Sequence, residues 1–259
     1  MKTVNAAQRA EVILGLIREG RECAVTDLAV KFKVSEMTVR RDLDALAAEG
    51  RIIRTHGGAT AASGVVFDFR FLEREREHRV AKREIAAQAA KLVEDGMTVM
   101  LDSGTTTLAL ARALKIRRDL TVVTTSLPIA SALQYCDGID VILLGGRLRR
   151  DAPDLSGALP LQALKGLHAD IAFVGADAID LKGRAYNQSI EVAHLIAAMA
   201  AASNAVYVVA DGSKIGHTAL AESGSIAQWE GLISDRGLTS VMASKLRKQG
   251  ITVIRSKAE

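Results

Sequence analysis

Residues 98–114 read TVMLDSGTTTLALARAL, and this stretch decides the class of the larger part of the chain. Thr98–Leu101 is a short apolar run of strand type. A turn rich in glycine and hydroxyls follows at Asp102–Thr107, and Leu108–Leu114 has the spacing of a helix. Further runs of the same strand type lie at 120–124, 141–144, 171–174, 205–210, 232–233 and 251–254, with helical stretches between most of them. Near-continuous apolar strands separated by helices indicate a mostly parallel sheet flanked by helices on both faces. The expected architecture is therefore α/β for the larger part of the chain.

The first 58 residues have a different texture. Ile13, Leu16 and Ile17 share one helical face; Thr26 is placed to cap a second helix carrying Leu28, Ala29 and Phe32; Ser35 is placed to cap a third. Gly20 and Gly50 stand where the first and third helices stop. Arg51, Arg54 and His56 then occupy a short hairpin-like stretch that ends in Gly57-Gly58. The mixed-charge run Glu73–Arg79 reads as a linker feeding a solvated helix. The expected organisation is a small helix-turn-helix domain with a wing at 1–58, a linker at 59–78, and an α/β sensing domain at 79–259.

Composition narrows the function classes. Lys and Arg number 34 against 30 Asp and Glu, a net charge of +4 that permits nucleic-acid binding without establishing it. Cys23 and Cys136 are far apart, which suggests neither a disulfide framework nor a zinc site, and the five histidines show no ligand spacing. No metal and no cofactor are expected. Leu195–Ala210, the most apolar stretch, is broken by Ser203 and Asn204 and falls short of the ~20 residues that span a bilayer. A soluble, cytoplasmic protein that is not exported is the expectation.

On the third helix, Val39, Leu43, Leu46 and Ala47 fall on one face at 100° per residue. Met37, Thr38, Arg41 and Asp44 fall on the other, with Arg40 on the flank. Residues near such a helix start reach base edges in the major groove, while a flanking guanidinium reaches phosphate. The DNA-contacting set read here is Ser35, Met37, Thr38, Arg40, Arg41, Arg51, Arg54 and His56. Read by pattern alone, the same residues also fit a three-helix protein-contact module with solvated arginines.

Thr38-Val-Arg-Arg-Asp-Leu43, followed by Leu46, Gly50 and His56-Gly-Gly-Ala59, resembles the signature of the DeoR family of bacterial regulators. Operator DNA, bound by a homo-oligomer (dimer or tetramer) over paired half-sites, is what this resemblance implies.

The loop Asp102, Ser103, Gly104, Thr105, Thr106, Thr107 at a helix N-terminus offers backbone N–H groups, hydroxyls and the positive end of a helix dipole, which suits a phosphate. It lacks the Gly-Lys of a nucleotide-triphosphate loop. A capped helix start with no ligand fits the same residues. Other strand ends contribute Thr125 and Ser126, Gly146 and Arg147, Asp177, and Lys214, and Asn187 and Glu191 precede and open another helix. In an open α/β sheet such loops surround one crevice.

The set is similar to the DeoR-type effector domain, which shares its fold with ribose-5-phosphate isomerase. By that likeness Asp102–Thr107 would hold the phosphate of a sugar-type effector, with Asp177, Glu191 and Lys214 facing the sugar. Thr125 stands where that family usually has Asn, Ala178 where it has Gly, and Ile215 where it has an aromatic residue. The expected function is a repressor of carbohydrate or related metabolism genes, with no catalytic residues. A sugar-phosphate isomerase using Asp177 or Glu191 as base and Lys214 as electrophile is the alternative, and it has no need of the arginine-bearing first domain.

Overall fold

The computed structural model describes residues 5–18, 23–48, 52–55, 57–60 and 69–256; the expectations at Gly20, Gly50, Arg51 and His56 lie outside them. The chain divides into two compact units, Met1–Phe69 and Arg70–Glu259.

The first unit runs α1 (Ala6–Arg18), β1 (Cys23–Ala24), α2 (Val25–Phe32), α3 (Glu36–Ala48), β2 (Ile53–Arg54) and β3 (Gly58–Thr60). Ile13, Leu14 and Ile17 of α1 close on Leu28 and Phe32 of α2 and on Val39, Leu43 and Leu46 of α3. Burial of each such side chain is worth about 1.5–3 kcal/mol, enough to fix three short helices that would be marginal alone. β3 lies between β1 and β2 and is antiparallel to both.

Two details differ from the sequence reading. α2 begins at Val25 behind Ala24, which makes no side-chain cap, so Thr26 is not the cap. Tertiary contacts decide this: Val25 is buried, and its N–H donates to the Gly57 carbonyl at 2.9 Å. β3 also continues to Thr60, and the range 59–78 holds a helix as well, α4 (Phe69–Arg76).

The second unit continues with α5 (Arg79–Ala89), β4 (Thr98–Leu101), α6 (Thr105–Ala113), β5 (Leu120–Thr124), α7 (Leu127–Leu133) and β6 (Ile139–Leu143). Then come β7 (Arg147–Leu148), β8 (Leu155–Ser156), α8 (Ala158–Leu164), β9 (Ala169–Val174), β10 (Ala178–Ile179), β11 (Arg184–Asn187) and α9 (Ile190–Ala201). The last elements are β12 (Ser203–Val209), β13 (Ala221–Ser225), β14 (Gly231–Ser234), α10 (Ser240–Lys248) and β15 (Val253–Arg255).

Seven strands form the main sheet in the order β15-β14-β12-β9-β4-β5-β6, and every neighbouring pair is parallel. Alternate residues feed two cores. Met100, Ala172 and Val208 face Leu195, Ile196 and Met199 of α9. Val99, Leu101 and Phe173 face Ile85 of α5, Leu108 of α6 and Ile129 of α7.

The chain enters this sheet in the middle at β4, steps outward through β5 and β6, and returns to β9 on the other side of β4. It then steps outward again through β12, β14 and β15. Strand order therefore reverses between β4 and β9, and in open α/β sheets the ligand crevice lies beyond the carboxyl ends of the strands at such a reversal. Two small antiparallel sheets, β10-β11-β13 and β7-β8, lie outside the sequence reading because their strands are short, and β7, β11 and β13 are polar in part. Among the described residues no helix is long and apolar enough to cross a membrane.

Candidate functional site

In the first unit, Lys33 adopts the left-handed conformation (φ 54°) and closes α2 through its N–H on the Ala29 and Val30 carbonyls. Ser35 then caps α3, its hydroxyl accepting the Thr38 N–H at 3.2 Å and meeting the Thr38 hydroxyl at 2.9 Å. This turn presents the start of α3. Met37 is 60% exposed, and Arg40 and Arg41 are both exposed. Arg40 pairs with Glu36 one turn back at 3.3 Å, whereas Arg41 has no ion-pair partner among the described residues. Arg54 pairs with Asp44 of α3 at 3.0 Å and donates to the Gly58 carbonyl at 2.7 Å, so it ties the wing to α3. Beneath the exposed arginines Arg9 of α1 holds Asp42 of α3 at 2.7 Å in a nearly buried pair.

In the second unit, the β4 and β9 loops are stitched together at the strand-order reversal. Asp102 is buried; its Oδ1 accepts the Gly104 N–H (2.9 Å) and the Thr107 hydroxyl (2.6 Å), and its Oδ2 accepts the Gly175 N–H (2.6 Å). Burial pushes the Asp102 carboxyl above its ordinary range, and these three donors offset part of that. Asp102 and Thr107 are thus spent on each other and shape the loop. Gly104 supplies no side-chain cap to α6, and the hydroxyls of the half-buried Thr105 and Thr106 take no partner among the described residues. The first-turn N–H groups of α6 have no carbonyl one turn earlier in the helix to receive them.

The remaining expected residues differ in what they do. Ser126 caps α7 by accepting the Ile129 N–H, while the fully buried Thr125 hydroxyl has no partner. A Cβ on Gly146 would come 2.7 Å from the Ser156 carbonyl, so Gly146 is there for backbone packing. Asp177 accepts the Gln188 N–H at 2.9 Å, and Asn187, buried on the same turn, leaves its Oδ1 unpartnered.

Glu191 is exposed on the first turn of α9. Its own N–H, the Ser189 hydroxyl and the charges of Arg147 and Arg149 hold it below the usual carboxylate range. Lys214 is half-buried on the turn after β12, and its neighbour Ile215 bridges to Ile179. The effector-site expectations therefore fall on strand-end loops, on the short strands β7 (Arg147) and β11 (Asn187) and on the first turns of α6 and α9, but Asp102, Thr107, Ser126 and Gly146 serve the scaffold.

Two charged residues escaped the sequence reading. Lys82 of α5 is buried, its ammonium donating to the carbonyls of Arg74 and Glu77, and burial lowers its pKa against the opposing pull of Asp211. Its place three residues before Ile85 on the buried face was the available signal. Asp154 sits on the β7–β8 hairpin and takes the Ser103 hydroxyl on its Oδ2. It lies in a charged run, Arg147–Asp154, that reads as solvated surface. Among the described residues no group of three or more His, Cys, Asp or Glu is placed to hold a metal.

Comparison with known proteins places both units. The family model of the DeoR-like helix-turn-helix domain matches residues 9–65, and that of the DeoR C-terminal sensor domain matches residues 77–236. The HTH-type transcriptional repressor CsqR of Escherichia coli (strain K12) is 32% identical over 246 residues, 95% of this chain and 94% of that one. The glycerol-3-phosphate regulon repressor of the same strain is 31% identical over 228 residues, 88% of this chain and 90% of that one. A solved ribose 5-phosphate isomerase from Methanocaldococcus jannaschii is 21% identical, with a TM-score of 0.41 over 54% of this chain and 55% of that one. With a reader whose recognition helix exposes Arg41 and a sensor built on a doubly wound parallel sheet, the chain belongs to the DeoR family of DNA-binding transcription regulators.

Proposed function

We propose that this regulator is a repressor of carbohydrate or related metabolism genes, released or engaged by a phosphorylated small metabolite bound in the crevice between β4 and β9. One observation carries the reading. At the strand-order reversal α6 starts on a glycine, so its first-turn N–H groups and the hydroxyls of Thr105 and Thr106 are left for a ligand. Lys214 adds a cation on a neighbouring strand-end loop. A phosphate dianion leaving water needs several such donors, and this loop supplies them without a metal. The named relative that controls a glycerol-3-phosphate regulon fits the same chemistry.

The isomerase alternative falls with the family, whose helix-turn-helix and sensor models match residues 9–65 and 77–236. Operator DNA is the macromolecular partner, read by α3 and its wing from paired half-sites in a homo-oligomer. The protein acts where the chromosome lies, in the bacterial cytoplasm.

Calorimetric titration of the full chain with a sugar phosphate and its unphosphorylated parent tests the reading, with Thr106→Ala and Lys214→Ala as controls. Loss of Lys214 weakens the phosphate ligand by ~1.5–3 kcal/mol, the worth of a charge-assisted hydrogen bond, and leaves ligand-free DNA binding intact. Equal affinity for phosphate and parent overturns it.

A further inference from the structure

The β7–β8 hairpin is not part of the main sheet; its two strands form a two-stranded sheet of their own. It nonetheless delivers one carboxylate into the crevice. Asp154 bridges to Ser126 on the β5 loop, and the Leu155 N–H beside it donates to the Thr125 carbonyl at 3.0 Å. The side chain is only 3% exposed. Its Oδ2 receives the hydroxyl of Ser103, on the phosphate-type loop, and faces Arg149 at 3.4 Å. Its Oδ1 has no hydrogen-bond partner among the described residues.

A buried polar atom left unsatisfied costs about 1–3 kcal/mol, so such atoms in native structures call for a reason. Here the unsatisfied atoms gather. The Thr125 hydroxyl, next to the Ser126 that Asp154 bridges, and the Ser156 hydroxyl two residues beyond Asp154 are buried and without a partner among the described residues as well. Burial pushes the Asp154 carboxyl up, while Ser103 and Arg149 favour its charged form, so the group is held with one acceptor site unfilled.

We propose that Asp154 is a specificity-determining residue of the effector site. Its free oxygen accepts a hydroxyl hydrogen from a phosphorylated polyol or sugar, and its charge repels a ligand that carries a carboxylate at that end. The inference rests on the phosphate reading above and adds the chemistry of the hydroxyl-bearing part of the ligand. A neutral hydroxyl completes the hydrogen-bonding of Asp154, whereas a second anion in a site of low dielectric meets like charge.

The test uses the full chain and three probes: inorganic phosphate, sorbitol phosphate, and phosphogluconate phosphorylated on the same terminal carbon. Wild type prefers sorbitol phosphate to phosphogluconate. Asp154→Asn keeps an acceptor but drops the charge, and this preference shrinks by about tenfold. Asp154→Ala drops the acceptor, weakening sorbitol phosphate by about tenfold relative to inorganic phosphate. Without ligand, Asp154→Asn melts higher than wild type because a buried charge with an empty acceptor site is gone. Asp154→Ser serves if either variant fails to fold.

A preference between the two probes that is the same in wild type and variants overturns the proposal, with a water molecule then filling Oδ1. Inorganic phosphate binding that survives both Thr106→Ala and Lys214→Ala overturns the phosphate reading instead, which separates the two failures.

Discussion

The Gly175 N–H donates to the Asp102 carboxylate at 2.6 Å, joining two loops 73 residues apart in sequence at the place where the strand order reverses. Asp102→Ala strips the Gly104 and Gly175 N–H groups of their acceptor, while the Thr107 hydroxyl keeps the Gly104 carbonyl at 2.8 Å, and the effector unit loses about 2 kcal/mol or more, read by denaturant unfolding without ligand. Burial raises the native Asp102 pKa, so the folded chain holds a proton where the unfolded chain has released it. Its contribution to stability is therefore highest in acid, falls as pH rises through the ordinary aspartate range, and levels off above the raised native value. Asp102→Asn flattens that segment of the stability–pH profile; an unchanged profile would show that Asp102 titrates normally.

The two arginines of α3 have different surroundings and should fail differently. Arg41→Ala costs ~1–3 kcal/mol on the operator and relaxes sequence preference, as loss of a base contact does. Arg40→Ala weakens specific and nonspecific DNA alike and lowers the salt slope by about one. Glu36→Gln releases Arg40 from a pair worth only ~0.3–0.5 kcal/mol, so nonspecific binding rises slightly. Mobility shifts at several salt concentrations separate the three; identical slopes for all of them would sink the assignment.

Gly58 is tested by a single methyl. A Cβ there would lie 2.0 Å from the Cys23 carbonyl oxygen, within the β1–β3 pairing. Gly58→Ala must therefore open that pairing, and DNA binding falls while the melting of the effector unit stays put. Differential scanning calorimetry combined with operator titration reports both.

Lys82 staples the corner between α4 and α5 by donating to two carbonyls, Arg74 and Glu77, that terminate α4. Lys82→Met keeps the buried methylenes and removes the donors, costing about 1–3 kcal/mol. Hydrogen exchange should quicken first in α4. Protection unchanged there would mean that water replaces the ammonium at no cost.

All seven strands of the main sheet were legible because a parallel strand buried on both faces must be apolar at almost every position, as Val99–Leu101 and Ile171–Val174 are. The strand-end loops were legible for the same reason: hydroxyls, glycines and charges stand out where an apolar run stops. What those side chains do was less so. Ser126 reads like Ser103, yet one caps a helix and the other meets Asp154 across 51 residues of sequence. Thr26 has every property of an N-cap, but a hydrogen bond from Val25 to distant Gly57 starts the helix earlier. Asp154 and Lys82 were missed because a charged residue reads as wet until its burial is known, and burial is a property of the whole fold.

The strand order also sets a timetable for synthesis. The reader's pairings and core all lie within the first 60 residues, so that unit can fold as soon as it leaves the ribosome. The central pair of the main sheet cannot: β4 must wait for β9, with Leu101 finding Phe173 only after β5 and β6 have been laid down. Until then one edge of β4 is an open template for another strand. Parallel pairings of this reach are slow to form and exposed to misassociation. A nascent regulator thus completes its helix-turn-helix unit before it completes its sensor.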